Sequence, residues 1–210
     1  MMLLKLANFD LASHNLFLKG LWNGPLTSPT VAAQVQNSSG IATTDVLLPS
    51  ESTGVSGGTL ALRIFSPSGS SMMRHNEGAP VLILAPGGET PGTLEAPIPR
   101  ATGAIRIAFL YPGGRDGTTQ RASSGSYDYR GERSIAAMRD VILYAAGQLP
   151  DSQGRLINQV VPVPVQTANI GLFGSSNGGN MVVAVLARHG RQLSRFVRYI
   201  IQWESPVLSQ

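Results

Sequence analysis

Short, nearly continuous apolar runs alternate with longer segments of helical apolar spacing through the second half of the chain. Runs of this kind are typical of parallel strands whose two faces are both buried. The segments 131–147 and 178–188 instead repeat apolar residues at helical spacing, and Gly147 and Gly190 are their predicted C-terminal ends. The pattern therefore predicts buried strands at residues 81–85, 105–111, 170–173 and 197–203.

Two further apolar or β-branched runs, at residues 41–48 and 59–65, are separated by the Ser- and Gly-rich stretch 51–58. This pattern favours an antiparallel strand pair at a sheet edge. The predicted order of elements is β-β-β-α-β-α-β-α-β. It favours an α/β fold: a three-layer sandwich with a mostly parallel sheet, helices on both faces and an antiparallel edge strand near the N-terminus. In such a fold, functional groups gather at the carboxyl ends of the strands.

The first 22 residues are moderately apolar, but Lys5 and Asp10 interrupt them before the length of a signal-peptide core or a membrane span is reached. They predict an amphipathic helix that covers an edge of the domain. Residues 1–40 are therefore assigned to an N-terminal helix and linker, and residues 41–210 to one α/β core. The lack of a clear signal peptide or spanning segment argues against stable membrane insertion and favours the cytoplasm.

Composition narrows the classes of function. The formal net charge is +4, but the cations are scattered singly along the chain, which argues against a nucleic-acid partner. The chain contains no cysteine, which excludes a disulfide framework and a thiolate zinc site. No ligand pattern or motif predicts a metal or a cofactor. A homo-oligomer is compatible with this composition but is not specified by it.

The chemically most informative stretch is Gly174-Ser175-Ser176-Asn177-Gly178-Gly179, between a predicted strand and a predicted helix. A strand that turns into a helix within so few residues forces the central serine into a strained conformation. The residues beside it must be glycines, because the tight turn leaves no room for side chains there. The hydroxyl of Ser176 is then raised above the sheet. At that point the helix dipole and the N–H of Asn177 can stabilise an oxyanion.

Two other kinds of strand-helix turn also contain small residues. A dinucleotide-binding fingerprint would require glycines where Phe173 and Ser176 stand, and a phosphate-binding P-loop would require a lysine where Asn180 follows the two glycines. Both patterns fail. A turn with a purely structural role remains the alternative.

On these residues the chain resembles the α/β-hydrolase superfamily, especially its dienelactone-hydrolase-like and prolyl-oligopeptidase-like branches, in which a second glycine such as Gly179 is frequent. A strand also leads into Pro86-Gly87-Gly88-Glu89, where the family has a His-Gly-Gly oxyanion loop. Pro86 departs from that pattern, but both glycines are retained. The resemblance extends over about residues 41–207. It implies that Gly88, or else Glu89, supplies the second oxyanion-hole N–H beside that of Asn177.

The resemblance also implies that an acid and then a histidine follow the nucleophile. The only histidine beyond Ser176 is His189, which stands 13 residues further on. At about 1.5 Å per helical residue, that separation is about 20 Å, too far for a general base. His75 is expected at the opposite edge of the sheet, and His14 lies in the predicted N-terminal helix. None of the three is a suitable base.

For the acid, the resemblance points to Glu204 at the carboxyl end of the last predicted strand, with a loop carboxylate of no catalytic role as the alternative. Asp116 and Asp128 precede the serine and are expected to order loops. The chain stops after its sixth predicted strand, so the resemblance implies that the C-terminal part of the fold is lacking. The loop 113–126 is expected to line the substrate pocket.

The sequence therefore predicts a serine hydrolase that cleaves carboxylic esters, or peptide bonds, through an acyl-enzyme on Ser176, with a small-molecule ester or a peptide as its substrate. Without a base, this chain is expected to be weakly active or inactive by itself. The alternative is a non-catalytic protein of the same fold that binds a ligand or a partner through the same crevice. A nucleotide-binding α/β domain is a third hypothesis.

Overall fold

A computed structural model describes residues 2–5, 40–69, 74, 76–95 and 103–205 of the chain. Nine main elements follow one another in these residues. They are β1 (Met2–Lys5), β2 (Ile41–Pro49), β3 (Thr59–Pro67), β4 (Ala79–Ala85), β5 (Ile105–Phe109), α1 (Glu132–Ala145), β6 (Val165–Ser175), α2 (Asn177–Leu193) and β7 (Val197–Trp203). The sequence pattern predicted six strands and two helices at stated positions from residue 41 onward, and the structure contains all eight.

All seven strands form one sheet in the order β1-β7-β6-β4-β5-β3-β2. The central strand β4 is parallel to both of its neighbours, β5 and β6, and β7 is parallel to β6. The strands β1 and β3 run against this direction, and β2 forms the antiparallel hairpin with β3. The structure is therefore an α/β fold with a mostly parallel sheet and an antiparallel strand near the N-terminus, as predicted. The carboxyl ends of β4, β5, β6 and β7 all lie at one edge.

Both faces of the central strands are buried. Val81 and Ile83 of β4 belong to a core cluster with the apolar side chains of α1 and α2, whereas Leu82 and Leu84 belong to a second cluster with Phe173. This alternation follows from the two-residue period of a strand. The two helices contact each other and lie on the same face of the sheet. The described residues contain no helix on the opposite face, so the second helical layer stays a prediction.

At the N-terminus the prediction of a helix is wrong for residues 2–5, which form β1. This strand pairs with β7, with Met2 opposite Gln202 and Lys5 opposite Tyr199. An unpaired β7 would expose a row of backbone N–H and C=O groups. Pairing satisfies them, and a local amphipathic pattern carries no signal for such a distant partner. The rest of the predicted helix and its linker, residues 6–39, lies outside the described residues.

Two other predicted features differ from the structure. The predicted helix between β4 and β5 is not present in residues 86–95, and residues 96–102 lie outside the described part of the chain. Gly190 does not end α2, which continues to Leu193. A glycine inside a helix costs about 1 kcal/mol, and full burial of a leucine such as Leu193 stabilises by about 1.5–3 kcal/mol. Gly147, by contrast, follows α1 with a left-handed φ of 67° and ends that helix as predicted.

A buried carboxylate orders the turn that follows α1. Asp151 accepts backbone N–H bonds from Gln153 (2.8 Å) and Arg155 (2.9 Å) and two guanidinium N–H bonds from Arg155 (2.9 and 2.7 Å). Burial by itself would raise the pKa of Asp151, but these four hydrogen bonds outweigh it and lower the pKa below its ordinary value. The charged form therefore stabilises the fold.

We expect Asp151→Asn to lower the free energy of unfolding at pH 7. A folded-state pKa below the unfolded value gives stability that is present above the unfolded pKa and is lost as the pH falls through the folded pKa. The difference between variant and wild type should therefore shrink as the pH is lowered from 7 towards 3. Urea unfolding over this range measures it. The exposed change Glu77→Gln is the control and should have little effect at either pH; a pH-independent deficit in Asp151→Asn would contradict the prediction.

Candidate active site

The turn between β6 and α2 has the backbone geometry that the sequence led us to expect. Ser176 has φ 50° and ψ −128°, a conformation that non-glycine residues rarely adopt. Its N–H donates to the carbonyl of Trp203 at the end of β7 (2.7 Å), and its own carbonyl accepts from the N–H of Gly179 (2.9 Å). These two hydrogen bonds hold the strained residue at the carboxyl edge of the sheet.

The three glycines around Ser176 are required by close contacts. A Cβ atom on Gly174 would lie 2.4 Å from the carbonyl oxygen of Gly178, and one on Gly178 would lie 2.3 Å from the carbonyl oxygen of Ala85. A Cβ atom on Gly179 would lie 1.7 Å from Oγ of Ser205. The first two contacts involve backbone atoms, which cannot move aside as a flexible side chain can. Gly174 and Gly178 therefore permit an approach that any other residue would prevent, whereas a side chain at Gly179 would require Ser205 to move.

The loop that follows β4 packs directly against this turn. A Cβ atom on Gly87 would lie 2.7 Å from the carbonyl oxygen of Ser175, the last residue of β6. Gly88 is exposed and has a left-handed φ of 67°. Its carbonyl accepts a long hydrogen bond from Nδ2 of Asn177 (3.4 Å), the first residue of α2. The two predicted oxyanion-hole residues, Gly88 and Asn177, are thus neighbours on either side of the crevice.

Sequence reasoning missed Arg130, which lies just before α1. Its Nη2 donates to the carbonyls of Pro86 (3.2 Å) and Gly87 (3.0 Å). Its Nε is buried and has no hydrogen-bond partner among the described residues. The only sequence signal was an isolated arginine in a loop, and neither its spacing nor its neighbours indicated that it would reach a loop more than forty residues earlier.

Gln202 was also missed. Its Nε2 donates to the carbonyl of Gly179 (3.0 Å) in the first turn of α2, so β7 supports the helix that follows Ser176. Gln202 lies on a strand that is apolar up to that residue except for Arg198. Nothing in this pattern shows which helix carbonyl the amide would meet.

The two aspartates that precede the serine have structural contacts. Asp128 accepts from the backbone N–H of Arg133 (2.7 Å) and from Oγ of Ser134 (2.5 Å) at the start of α1. Asp116 accepts from the backbone N–H of Thr119 (2.7 Å) and from its hydroxyl (2.7 Å). Burial alone would raise the pKa of Asp116, but these bonds lower it. Both residues therefore order loops, as predicted.

Glu204 follows Trp203 directly at the carboxyl end of β7, is exposed and has a left-handed φ of 52°. The carbonyl of Trp203 accepts a hydrogen bond from the N–H of Ser176, so Glu204 is one residue away from a direct contact with the serine turn.

His189 is in the last turns of α2, where burial, and then the nearby charge of Arg139, lower its pKa. The structure does not bring His189 to Ser176.

His189 is the only histidine in the described part of the chain, since His14 and His75 lie outside it. The same described residues contain no cluster of three or more His, Cys, Asp or Glu side chains suited to a metal ion. None of their helices is long and apolar enough to cross a membrane. The described site thus consists of a strained serine, two adjoining loops and one arginine.

A cleft of about 490 Å³ opens beside the first turns of α2. It is lined from three segments, the loop after β4, the turn before α1 and the exposed side of α2, by residues including Glu89, Tyr129, Arg130, Asn177, Asn180 and Met181. The loop 113–126, which was expected to line the pocket, does not contribute to this cleft. Arg121 of that loop instead lies within ion-pair distance of Asp45 (3.5 Å).

Three solved structures superpose on this chain with TM-scores of 0.50 to 0.53, and two of them are structures of one esterase. The structure of esterase Est22 superposes with a TM-score of 0.53 at 15% identity, over 78% of this chain and 44% of that chain. The structure of the same esterase with p-nitrophenol gives a TM-score of 0.51 at 16% identity, over 78% of this chain and 44% of that chain. Hypothetical protein PA2218 from Pseudomonas aeruginosa gives a TM-score of 0.50 at 16% identity, over 80% of this chain and 46% of that chain.

No protein-family model and no curated protein matches the chain. The sheet topology and the strand-helix turn match the α/β-hydrolase fold, and this chain has that fold. It spans less than half of the length of the solved structures that it resembles. At identities of 15–16% the likeness establishes the fold alone, so activity must be argued from the site.

We expect Gly178→Ala to destabilise the protein by about 2 kcal/mol, as overpacking against immobile atoms does. Its new Cβ atom would lie 2.3 Å from the carbonyl oxygen of Ala85. Gly190→Ala is the matched control in the same helix, because a Cβ atom there meets nothing within 4 Å. It should raise stability by about 1 kcal/mol through helix propensity. Urea-unfolding free energies measure both, and equal effects of the two changes would contradict the packing argument.

Proposed function

We propose that the protein is a serine hydrolase in which Ser176 attacks the carbonyl carbon of a carboxylic ester, or of a peptide bond, and forms an acyl-enzyme. The observation that carries the proposal is the strained backbone of Ser176, with φ 50° and ψ −128°, at a turn from strand to helix. A strained residue of this kind is maintained only where the surrounding structure enforces it, and such residues cluster at active sites. In this position a serine hydroxyl is presented at the carboxyl edge of the sheet.

In the proposed reaction, the substrate oxygen gains negative charge as the tetrahedral intermediate forms. The N–H groups of Gly88 and Asn177 would bind this oxyanion. Asn177 is the first residue of a 17-residue helix, so its N–H is one of those left without an intrahelical acceptor, and the helix dipole favours negative charge there. Support for Gly88 comes from the contact of its carbonyl with the Asn177 side chain.

The proposal requires a general base, because a serine hydroxyl is a weak nucleophile without one. Among the described residues, His189 is too far along α2 to serve. The base is therefore proposed to be an imidazole outside the described residues; His14 and His75 are the histidines of the sequence that lie there. Glu204 is the proposed acid, since its strand end adjoins Ser176. With the base missing, only the small residual catalysis that an oxyanion hole provides would remain.

The cleft beside α2 is proposed to receive the substrate. Its volume of about 490 Å³ lies in the range of about 300–1,000 Å³ that is usual for small-molecule sites. Tyr129, whose side chain is largely exposed, provides apolar surface, Asn177 and Asn180 provide amide groups, and Glu89 and Arg130 add one charge of each sign. A lining whose two charges are opposite suits a small ester better than a highly charged ligand.

A second candidate is a non-catalytic protein that uses the same cleft to bind a ligand or a partner. The observation that favours it is the lack of an imidazole near Ser176 in the described part of the chain. The two candidates predict different behaviour of the serine hydroxyl, which can be measured directly.

We expect a fluorophosphonate probe to label the protein at Ser176, because the probe reacts only with an activated serine. Ser176→Ala should abolish labelling, whereas Ser175→Ala, a matched change at the preceding residue, should keep it. Intact-mass spectrometry followed by peptide mapping identifies the labelled residue. A folded wild-type chain that takes up no label, but binds small esters without cleaving them, would refute the hydrolase and support the binding protein.

If Glu204 is the acid, Glu204→Gln should slow labelling of Ser176 at least about tenfold, because a triad carboxylate orients and stabilises the imidazolium. The control is Glu95→Gln, an equal change of charge at an exposed glutamate outside the cleft. The second-order rate constant of labelling is the measurement. Equal rates for the two variants would mean that Glu204 is only a loop carboxylate.

A further inference from the structure

We infer that Arg130 is a positioning residue that fixes the direction of the Gly88 N–H. The inference deepens the proposed function and rests on it in one respect, namely that this N–H is a donor to the oxyanion. The observation is the pair of hydrogen bonds from Nη2 of Arg130 to the carbonyls of Pro86 (3.2 Å) and Gly87 (3.0 Å). Among the described residues, Arg130 is the side chain that donates to these two carbonyls.

Because the peptide bond is planar, a hydrogen bond to its carbonyl oxygen also fixes the direction of its N–H. The carbonyl of Gly87 and the N–H of Gly88 belong to one planar trans peptide unit, in which they point in opposite directions. A guanidinium that holds the oxygen therefore directs the N–H of Gly88 away from Arg130. The bond to the Pro86 carbonyl fixes the N–H of Gly87 in the same way. Two consecutive peptide planes are set by one side chain.

The loop needs such an external restraint. Gly87 and Gly88 have no side chains, and glycine has the widest range of backbone conformations. Close packing on Ser175 restricts Gly87, but Gly88 is exposed and a Cβ atom there would meet nothing within 4 Å. Contact with neighbouring atoms therefore does not determine the conformation at Gly88. The hydrogen bonds from Arg130 to the Pro86 and Gly87 carbonyls restrain the loop where packing does not.

Arg130 itself is held on a rigid base. It and Tyr129 have left-handed φ values of 67° and 51°, so the chain turns sharply before α1. Asp128 closes this turn by accepting hydrogen bonds from the backbone N–H of Arg133 and the hydroxyl of Ser134 in the first turn of α1. The guanidinium is thus anchored to a helix and can restrain the glycine loop.

The charge of Arg130 adds an electrostatic effect. A cation at a carbonyl oxygen polarises the whole peptide unit, which strengthens its N–H as a donor. Lysine keeps the charge but lacks the planar guanidinium, and would reach one carbonyl at a time. Arg130→Lys should therefore behave between wild type and Arg130→Met. Arg133→Met is the matched control, because it removes an equal charge from the same turn, and the guanidinium of Arg133 lies near Ser126 instead.

The first measurement is the NMR order parameter of the Gly87 and Gly88 amides, which requires no activity. We expect values near those of rigid backbone, about 0.85, in wild type and in Arg133→Met, and below about 0.6 for Gly88 in Arg130→Met. Arg130→Lys should give an intermediate value, and it keeps the test decisive if Arg130→Met does not fold. Equal order parameters in the Arg130 and Arg133 variants would overturn the inference.

The second measurement is the rate of fluorophosphonate labelling at Ser176. Losing one oxyanion-hole donor costs about 10²–10³ in rate, so a misdirected Gly88 should slow labelling of Arg130→Met by about tenfold or more. Arg130→Lys should recover part of the rate, and Arg133→Met should match wild type. A wild-type chain without labelling refutes the proposed function, while the order parameters still decide the role of Arg130. An unchanged rate in a labelled Arg130→Met protein would overturn that role.

Discussion

Close contact between backbone segments at the carboxyl edge of the sheet is the constraint on which the rest of the site depends. The first turn of α2 meets the end of β4 at Gly178, and the loop after β4 meets the end of β6 at Gly87. Because the atoms on both sides are main-chain atoms, neither contact can be relieved by a side-chain rotation. Strand pairing of Ala85 with Gly174 sets this distance, so the sheet itself brings the serine turn and the glycine loop together.

The strain at Ser176 is compatible with a stable fold because the surrounding structure offsets it. A non-glycine residue in a sparsely populated backbone region costs of order 1–3 kcal/mol. The N–H of Ser176 continues the hydrogen bonding between β6 and β7 through the carbonyl of Trp203. Beyond the turn, α2 buries Met181, Val182 and Val185 against the sheet. A strained turn between two well-packed elements is a fixed platform for a hydroxyl group.

The site joins residues with different kinds of support. Ser176 and Asn177 are positioned by regular elements, whereas Gly88 lies in an exposed loop. Asn177 donates to its carbonyl, and Arg130 donates to the carbonyls of the two preceding residues. Arg130, which also lines the cleft beside α2, connects this loop to the cleft. The same arginine therefore links the proposed oxyanion hole and the proposed substrate cleft. The superposed esterases share the architecture, and the local geometry supplies the functional argument.

The sequence by itself determined the order of six strands and two helices from residue 41 onward, the α/β class and the position of the serine turn, since apolar periodicity and glycine spacing are local properties. It also predicted a helix between β4 and β5 that residues 86–95 do not form. Only the tertiary structure decided that residues 2–5 pair with β7, that α2 runs past Gly190, and that Arg130 reaches the loop after β4. These outcomes depend on unpaired backbone groups, buried side chains and carbonyls that are distant along the chain. No local pattern records such partners, because they become neighbours only when the sheet has formed.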